Sequence, residues 1–337
     1  MNMQIDLEKG IANVGDVSRM KEVMARAKRG GRLVIGFIGG SITQGSLSST
    51  PQTCYAYRVY TWWKETFPQA EFVYCNAGIG GTTSEFGAAR VGTDLLAERP
   101  DFVIVEFSVN DESTEHFKET YEGLVRKILG AAWNPAVLLV HNVFYHNGAN
   151  AQVMHAAIGR HYDLPSVSMQ NSIYPEVVAG RIENRAITPD DLHPNDEGHA
   201  LVASVITYFL EQVRSGKLTG SNASFALGAK LPVPLTKNAY EDSVRIRNAA
   251  APDMAGLQQP TLDGFTPDET AQNEITDCFR YGWTAKKTGD AITFLVEGSC
   301  IAVQYRKSVK LPAPVALAVV DDDTEHAVRL DANFDET

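Results

Sequence analysis

The stretch Arg32-Leu-Val-Ile-Gly-Phe-Ile-Gly-Gly-Ser-Ile-Thr43 is an almost uninterrupted apolar run that leads directly into two glycines and a serine. A continuous apolar run of strand length is typical of a strand buried on both faces of a parallel sheet. Gly39 and Gly40 let the backbone turn sharply where this strand ends. Ligands of open parallel sheets bind beyond the carboxyl ends of the strands, so Ser41 lies where an active-site group belongs.

On both sides of this stretch, residues 14–214 alternate strand patterns with longer helical patterns. This alternation favours βαβ units, in which helices cover both faces of a parallel sheet. We therefore predict an α/β fold with three layers, α/β/α, around a parallel sheet. The predicted strands are 32–38, 71–75, 102–107, 136–142 and 165–169, and the predicted helices are 16–29, 55–66, 83–98, 117–131, 150–162 and 197–215.

The sequence pattern changes after residue 215. Residues 216–235 are rich in Gly, Ser, Asn, Pro and Lys, which is typical of a linker. Beyond them, short strand patterns separated by polar turns predict a β-sandwich. The predicted organisation is a first domain over 1–215, a linker over 216–235 and a β-sandwich domain over 236–337. Strands are predicted at 243–248, 274–283, 290–296, 301–306, 314–321 and 325–330.

The composition narrows the possible partners. The chain has 337 residues, of which 44% are hydrophobic and 21% charged, and this is ordinary for a folded soluble protein. The net charge of −11 repels phosphate groups, which argues against a nucleic-acid partner and against anionic membranes. No apolar run reaches the roughly 18 residues of a membrane-spanning helix. We expect no nucleic-acid partner and no membrane partner, and the sequence specifies no oligomeric state.

The N-terminus and the cysteines bear on the compartment. The first ten residues contain neither a basic segment nor an apolar segment of a secretory signal, which predicts a cytoplasmic protein. The four cysteines form no CxxC pair and are too few for a disulfide framework in a chain of this length. Reduced thiols are therefore expected.

Four loops, each near the end of a predicted strand or the start of a helix, carry polar groups of possible chemical use. They contain Ser41, the glycine-rich segment 76–83, Asn110, and the pair Asp190 and His193. Each has an ordinary structural explanation, such as a helix cap or a turn. Together they supply a nucleophile, backbone and amide donors for an oxyanion, and a base with an orienting carboxylate. This is the set of groups that acyl transfer requires.

Other chemistries fit less well. The phosphate-loop pattern GxxxxGK[ST], the dinucleotide pattern GxGxxG and the α/β-hydrolase pattern GxSxG are all absent. A metal site built from His193 and its neighbouring aspartates is an alternative, with His199 six residues further on. It lacks a compact second ligand pair such as HxxxH.

At these residues the sequence resembles the SGNH (GDSL-type) hydrolases over about residues 32–214, and this resemblance implies a flavodoxin-like form of the predicted fold. Gly39–Thr43 resembles the serine block of that family, residues 76–83 its glycine block, Ser108–Asp111 its Gly-x-Asn-Asp block and Asp190–His193 its Asp-x-x-His block. The four blocks occur in the family order. Ser108 replaces the first glycine of the third block, and we expect this serine to narrow the site while leaving Asn110 in place.

The resemblance implies roles for these residues. Ser41 would be the nucleophile, His193 the general base and Asp190 the carboxylate that orients it, with Asp191 as a competing candidate for the last role. The backbone N–H groups of Ser41 and Gly81 and the side chain of Asn110 would form the oxyanion hole. Gly80 is the neighbouring possibility for the glycine donor. The resemblance implies no metal and no cofactor.

The GGSIT form of the serine block, together with a β-sandwich on the same chain, resembles the carbohydrate-acetylesterase branch of the family, which carries jelly-roll-like accessory domains. The implied activity is removal of O-acetyl groups from oligosaccharides derived from mannan or xylan. Tyr145 and His146, in a loop that follows a predicted strand, are the candidate substrate contacts. The accessory domain would hold glycan, cover the site or brace the fold.

The sequence leaves three alternatives to this implied activity open. A lipid or thioester hydrolase of the same family would need a long apolar groove. An acyltransferase would pass the acyl group to a sugar hydroxyl instead of water. A glycan-binding protein without turnover would have no need of Ser41.

Overall fold

The computed structural model describes residues 5–221, 230–249, 257–268 and 277–334. These residues form two compact units, of which the first continues to Ile246 and the second includes 247–249 and the described residues from 257 onward. None of the helices in the described part of the chain combines the length and apolarity needed to cross a membrane.

The first unit is built on a six-stranded sheet with the strand order β1-β6-β5-β4-β2-β3. The strands from β2 to β6 pair in parallel, as predicted. The short edge strand β1 pairs antiparallel with β6, so the sheet is mixed. The strands are β1 (Ile11–Asn13), β2 (Arg32–Gly39), β3 (Glu71–Gly78), β4 (Phe102–Glu106), β5 (Ala136–His141) and β6 (Ser166–Ser168).

Helices cover both faces of this sheet, which confirms the three-layer prediction. On one face α10 packs against α1 and α3, and on the other α5 packs against α4 and α6. The helices are α1 (Ser18–Lys28), α2 (Ser41–Gln44), α3 (Tyr55–Thr66), α4 (Ser84–Asp94), α5 (Glu115–Leu129), α6 (Gln152–His161), α7 (Met169–Ser172), α8 (Tyr174–Val178), α9 (Asn184–Ile187) and α10 (Asp196–Arg214).

The helices on both faces of the sheet explain why the β2 sequence is an almost continuous apolar run. Successive side chains of a strand point to opposite faces. Leu33, Ile35 and Phe37 enter the core shared with α1, α3 and α10, while Val34 and Ile38 are buried as well. A strand with two buried faces has no position at which a polar residue is preferred.

Residues 230–246 belong to the first unit by their contacts. The buried carboxylate of Glu122, on α5, accepts backbone N–H groups from Leu235 at 2.6 Å and Thr236 at 2.7 Å. Arg126 on the same helix bonds to Glu241 at 2.6 Å. The first compact unit therefore extends past residue 236, where the sequence-based division placed the start of the second domain. The assignment of a catalytic domain and an accessory domain to these parts of the chain stays a prediction.

The regular elements of the second unit, among its described residues, are all short strands joined by turns and irregular segments. Its strands are β7 (Thr261–Asp263), β8 (Thr266–Pro267), β9 (Trp283–Thr284), β10 (Ala291–Thr293), β11 (Val315–Ala318) and β12 (Val328–Asp331). They form three two-stranded antiparallel sheets, as expected for a sandwich-type domain. The strand predictions for 243–248 and 301–306 are wrong, because neither stretch pairs with a neighbouring strand. The prediction for 274–283 lies partly outside the described residues.

Candidate active site

Ser41 begins the short helix α2, directly after β2, an interior strand of the sheet between β4 and the edge strand β3. Two glycines make this position possible. A Cβ atom at Gly39 would collide with Thr43 Oγ1, and a Cβ atom at Gly40 would collide with the side-chain amide of Asn110. The glycines therefore allow the serine loop and the Asn110 loop to approach each other closely, and Ser41 stays 8% exposed at the end of the sheet.

His193 bonds to Ser41 from the loop before α10. Its Nε2 lies 2.8 Å from Ser41 Oγ, and its Nδ1 lies 2.6 Å from Asp190 Oδ2. An ionised carboxylate only accepts hydrogen bonds, so Nδ1 carries the proton and Nε2 is left free to accept one. The structure thus brings together the three side chains that the sequence analysis singled out as nucleophile, base and orienting carboxylate.

Asp190 is held for this contact by its own loop. Its Oδ1 accepts the backbone N–H groups of Leu192 at 3.1 Å and His193 at 2.7 Å. Partial burial acts to raise the pKa of Asp190, but the hydrogen bonds from the side chain and backbone of His193 outweigh it and keep the pKa below its ordinary value. Asp190 therefore stays ionised, as an orienting carboxylate must.

Asp191, the competing candidate, bonds to other residues. Its carboxylate accepts from Asn184 at 2.5 Å and Arg185 at 2.8 Å. Its backbone has a left-handed conformation with φ of 71°, and its carbonyl accepts the N–H of Tyr145 at 2.8 Å. Asp191 shapes the loop, whereas Asp190 contacts the histidine.

The candidate oxyanion donors surround Ser41. The Ser41 N–H is in the first turn of α2, where helix N–H groups have no intrahelical acceptor. Asn110 follows β4 and lies against Gly40. In the glycine loop, the Gly80 N–H donates to Gln44 Oε1 at 2.6 Å, while Gly81 is exposed with φ of 68° and open space beside its Cα. The geometry therefore favours Gly81 over Gly80 as a donor available to a ligand.

A buried carboxylate lies beneath these loops. Glu106, at the end of β4, accepts the N–H and the hydroxyl of Ser108, each at 3.2 Å. It also lies 3.5 Å from Thr43 Oγ1, which bonds to the Tyr55 hydroxyl at 2.8 Å. Burial raises the pKa of Glu106 to about 7.

Ser108 is fully buried, and its hydroxyl bonds to Glu106 and to the carbonyl of Asn142 in the interior. The expectation that Ser108 narrows the site is therefore wrong.

Comparison with known proteins agrees with this arrangement. The sequence profile of the GDSL-like lipase/acylhydrolase family matches residues 37–201, which span all four motif loops. A crystal structure of a two-domain esterase (CEX) active on acetylated mannans is 66% identical, covers 99% of this chain and 87% of its own, and has a TM-score of 0.89.

The chain belongs to the GDSL-like lipase/acylhydrolase family. A second crystal structure of such a two-domain mannan-active esterase, crystallised with mannopentaose, is 65% identical over 99% of this chain and 86% of its own, with a TM-score of 0.89. No curated protein matches the chain. As a member of this family the protein is a hydrolase of carboxylic esters.

The predicted substrate contacts of this hydrolase have different surroundings. Tyr145 is 4% exposed and packs in the core, so its ring offers no open face to a sugar. His146 is exposed beside Phe144, with the two ring centroids 5.9 Å apart. A substrate-contact role stays a prediction for both residues, and of the two only His146 is open to solvent.

His199 forms part of the core of the hydrolase. It is fully buried, its Nδ1 accepts the N–H of Tyr55 at 3.2 Å, and its Nε2 lies 3.2 Å from the carbonyl of Ser46. Burial lowers its pKa to about 4. One nitrogen therefore bonds to the start of α3 and the other to the segment that follows α2. Within the described ranges, no three His, Cys, Asp or Glu side chains are grouped as metal ligands.

Two buried residues beneath the site loops, Glu106 and His155, were not among the predicted site residues. For Glu106, a charged residue at the end of an otherwise apolar strand was a usable signal. His155 bonds to Asp111 at 2.9 Å in the interior. Nothing in its helix sequence marks that contact, because the two residues lie 44 positions apart.

Proposed function

We propose that this hydrolase removes O-acetyl groups from acetylated mannan oligosaccharides through an acyl-serine intermediate. The observation that carries the chemistry is the hydrogen bond of 2.8 Å between His193 Nε2 and Ser41 Oγ, with Asp190 on the other ring nitrogen. Support for the substrate comes from the two mannan-active esterases, which are 65% and 66% identical to nearly the whole chain.

In the first half-reaction Ser41 Oγ attacks the acetyl carbonyl carbon. His193 Nε2 takes the serine proton as the new bond forms, and Asp190 stabilises the resulting imidazolium. The tetrahedral intermediate collapses when the C–O bond to the sugar breaks. His193 gives its proton to the departing sugar oxygen, which leaves as a free hydroxyl, and the acetyl group remains on Ser41.

Negative charge develops on the carbonyl oxygen during this step. In the proposed arrangement it is stabilised by the backbone N–H groups of Ser41 and Gly81 and by the Asn110 amide. These donors act without reorganisation because their loops are already in place, and this preorganisation is usually the largest electrostatic contribution to such catalysis.

In the second half-reaction a water molecule attacks the acetyl-serine. His193 Nε2 takes a proton from the water and returns it to Ser41 Oγ as the acyl bond breaks. Acetic acid leaves and ionises to acetate in solution, which releases the second proton of the water to the solvent, and the free serine is restored. Each proton transferred to or from Ser41 Oγ and the sugar oxygen moves through His193 Nε2, so the mechanism needs only groups of this chain and water.

The test is acetate release from acetylated manno-oligosaccharides and, separately, acetylated xylo-oligosaccharides. Wild type is compared with Ser41→Ala and with Ser215→Ala, an exposed serine at the end of α10 that serves as the matched control. We expect rapid release from the mannan substrate by wild type and the control, with Ser41→Ala slower by about 10⁴-fold or more.

The other results each exclude part of the proposal. Equal release by Ser41→Ala and wild type would overturn the nucleophile. Preference for the xylo-oligosaccharide substrate would overturn the sugar assignment. Faster hydrolysis of long-chain 4-nitrophenyl esters than of 4-nitrophenyl acetate would indicate a lipid-type hydrolase. Acetyl transfer to an added oligosaccharide in place of acetate release would indicate an acyltransferase. Binding of mannopentaose without any release would indicate a binding protein.

A further inference from the structure

A second histidine–aspartate pair lies inside the first unit. Asp111, the residue after Asn110, is 5% exposed, and its Oδ2 lies 2.9 Å from Nε2 of His155 on α6. His155 is fully buried, and its ring stacks on Tyr121 with 3.6 Å between centroids and 4° between planes. The stacking fixes the ring plane, so Nε2 is held in the direction of the carboxylate.

The same carboxylate reaches the glycine loop. Asp111 Oδ1 accepts the backbone N–H of Ser84 at 2.8 Å. Ser84 is the first residue of α4 and follows Gly81 by three positions. A carboxylate at a helix N-terminus is favourable because the free N–H groups and the helix dipole attract negative charge. Asp111 therefore connects the loop that ends in Asn110 with the loop that contains Gly81.

We propose that His155 and Asp111 are a positioning pair that holds Asn110 and the Gly81 loop at the separation that an oxyanion requires. The inference rests on the proposed function, and neither residue touches the substrate. His155 donates from Nε2 to one carboxylate oxygen, and Ser84 donates to the other, so the carboxylate cannot rotate. Burial keeps water from replacing either bond.

The competing explanation is that Asp111 only caps α4 and His155 only fills the core. In that case loss of His155 would lower stability but would leave the donors in register. A misplacement of about 1 Å in a catalytic group is sufficient to lower a rate about 100-fold, so the two explanations predict different kinetics.

The experiment uses three variants of the full chain. His155→Leu removes the donor and retains much of the volume, whereas His155→Gln keeps an N–H donor near the position of Nε2. His141→Leu is the matched control, because His141 is also fully buried, its ring centroid lies 6.2 Å from that of His155, and neither of its ring nitrogens has a hydrogen bond within the described residues. For each protein, kcat and KM for 4-nitrophenyl acetate and the thermal midpoint are measured.

We expect His155→Leu to lower kcat by about 10- to 100-fold with KM within about twofold of wild type. His155→Gln should recover most of the loss. His141→Leu removes no hydrogen bond and should lower the thermal midpoint less than His155→Leu, with kcat within about threefold of wild type. Equal kcat losses in the two leucine variants, or a loss confined to KM, would overturn the proposal.

Amide hydrogen exchange at Ser84 tests the geometry without any turnover. We expect faster exchange at this amide in His155→Leu, and wild-type protection in His155→Gln and His141→Leu. Unchanged protection in His155→Leu would overturn the positioning role whether or not the protein hydrolyses acetyl esters. Failure of the proposed function is recognised separately, by acetate release that does not depend on Ser41.

Discussion

The two compact units each contain an Asp-x-x-His segment that folds in the same way, at Asp190–His193 and Asp323–His326. In both, the aspartate Oδ1 accepts the two backbone N–H groups that follow at positions two and three. In both, Oδ2 bonds to the histidine Nδ1, at 2.6 Å in the first unit and 2.7 Å in the second. In two loops, therefore, this local spacing produces an oriented imidazole.

The difference lies at the other ring nitrogen. His193 Nε2 lies 2.8 Å from Ser41 Oγ, 152 positions earlier in the chain, and the His193 side chain is 25% exposed. The His326 side chain is 82% exposed, and its Nε2 has no hydrogen bond within the described residues. An oriented histidine becomes part of a candidate active site only where the fold supplies a nucleophile to it.

A third segment with the same spacing shows the limit of the local rule. Asp196–His199 lies in the first turn of α10, where the backbone is helical. There Asp196 bonds to Ser49, and the His199 nitrogens bond to Tyr55 and Ser46. The spacing creates the pair only in a loop that brings the carboxylate back over its own backbone.

The largest effect should come from replacing the two histidines in parallel. We expect His193→Ala to lower kcat for acetyl-ester hydrolysis by about 10⁴- to 10⁶-fold, because no other group can take the Ser41 proton. His326→Ala should leave kcat unchanged. Steady-state kinetics on 4-nitrophenyl acetate checks both, and a comparable loss in His326→Ala would show that the second pair takes part in the reaction.

Replacing Asp190 and Asp323 tests how far the carboxylate fixes the ring proton and orientation of the neighbouring histidine. In Asp190→Asn the amide donates to His193 Nδ1, which moves the ring proton to Nε2 and blocks acceptance of the serine proton. We expect kcat to fall by about 10³- to 10⁴-fold. Asp323→Asn serves as the control and should match wild type. A loss below about tenfold in Asp190→Asn would mean that His193 is oriented by other contacts.

Asn110 tests what the fold adds around the triad of Ser41, His193 and Asp190. We expect Asn110→Ala to lower kcat by about 10²- to 10³-fold with little change in KM, because the lost donor acts on the transition state. Kinetics with the acetylated manno-oligosaccharide substrate measures both constants. An increase in KM with unchanged kcat would assign Asn110 to substrate binding instead.

Glu106 extends the comparison to a carboxylate with no access to solvent. Its pKa is about 7 in the folded chain against an ordinary 4.5, so the folded state is penalised as pH rises through this range, with the full cost above pH 7. Glu106→Gln lacks this titration. We expect its free energy of unfolding, relative to wild type, to rise by up to about 3 kcal/mol between pH 4.5 and 8. Urea unfolding at several pH values measures the difference, and a pH-independent difference would contradict the expectation.

The fold of the first unit was largely predictable because its signals are local. The strands β2, β4 and β5 are continuous apolar runs, and each parallel strand demands a helical connection to the next. β1 was missed because Ile11–Asn13 is too short to show a pattern. In the second unit, the polar turns could be predicted from the sequence. The pairing of its two- to four-residue strands could not, because it depends on residues distant in the chain.

The candidate site was predictable in its parts and less so in its surroundings. Ser41, Asn110 and His193 stand in recognisable motif positions. The burial of Tyr145 was not predictable, because a tyrosine after a strand has the same sequence signal whether it faces a ligand or the core. The choice of Gly81 over Gly80 required the Gln44 contact, which the local sequence does not reveal.

The sequence alone specifies which strands are buried on both faces, where the chain turns after them, and that Asp190 will hold His193, since each depends on residues only a few positions apart. The tertiary structure decides that His193 meets Ser41 while His326 meets no such serine. It also decides that Glu106, Asp111 and His155 lie together under the loops. These contacts join residues far apart in the chain, and only the packing of the complete sheet and its helices can repay the entropy lost in bringing them together.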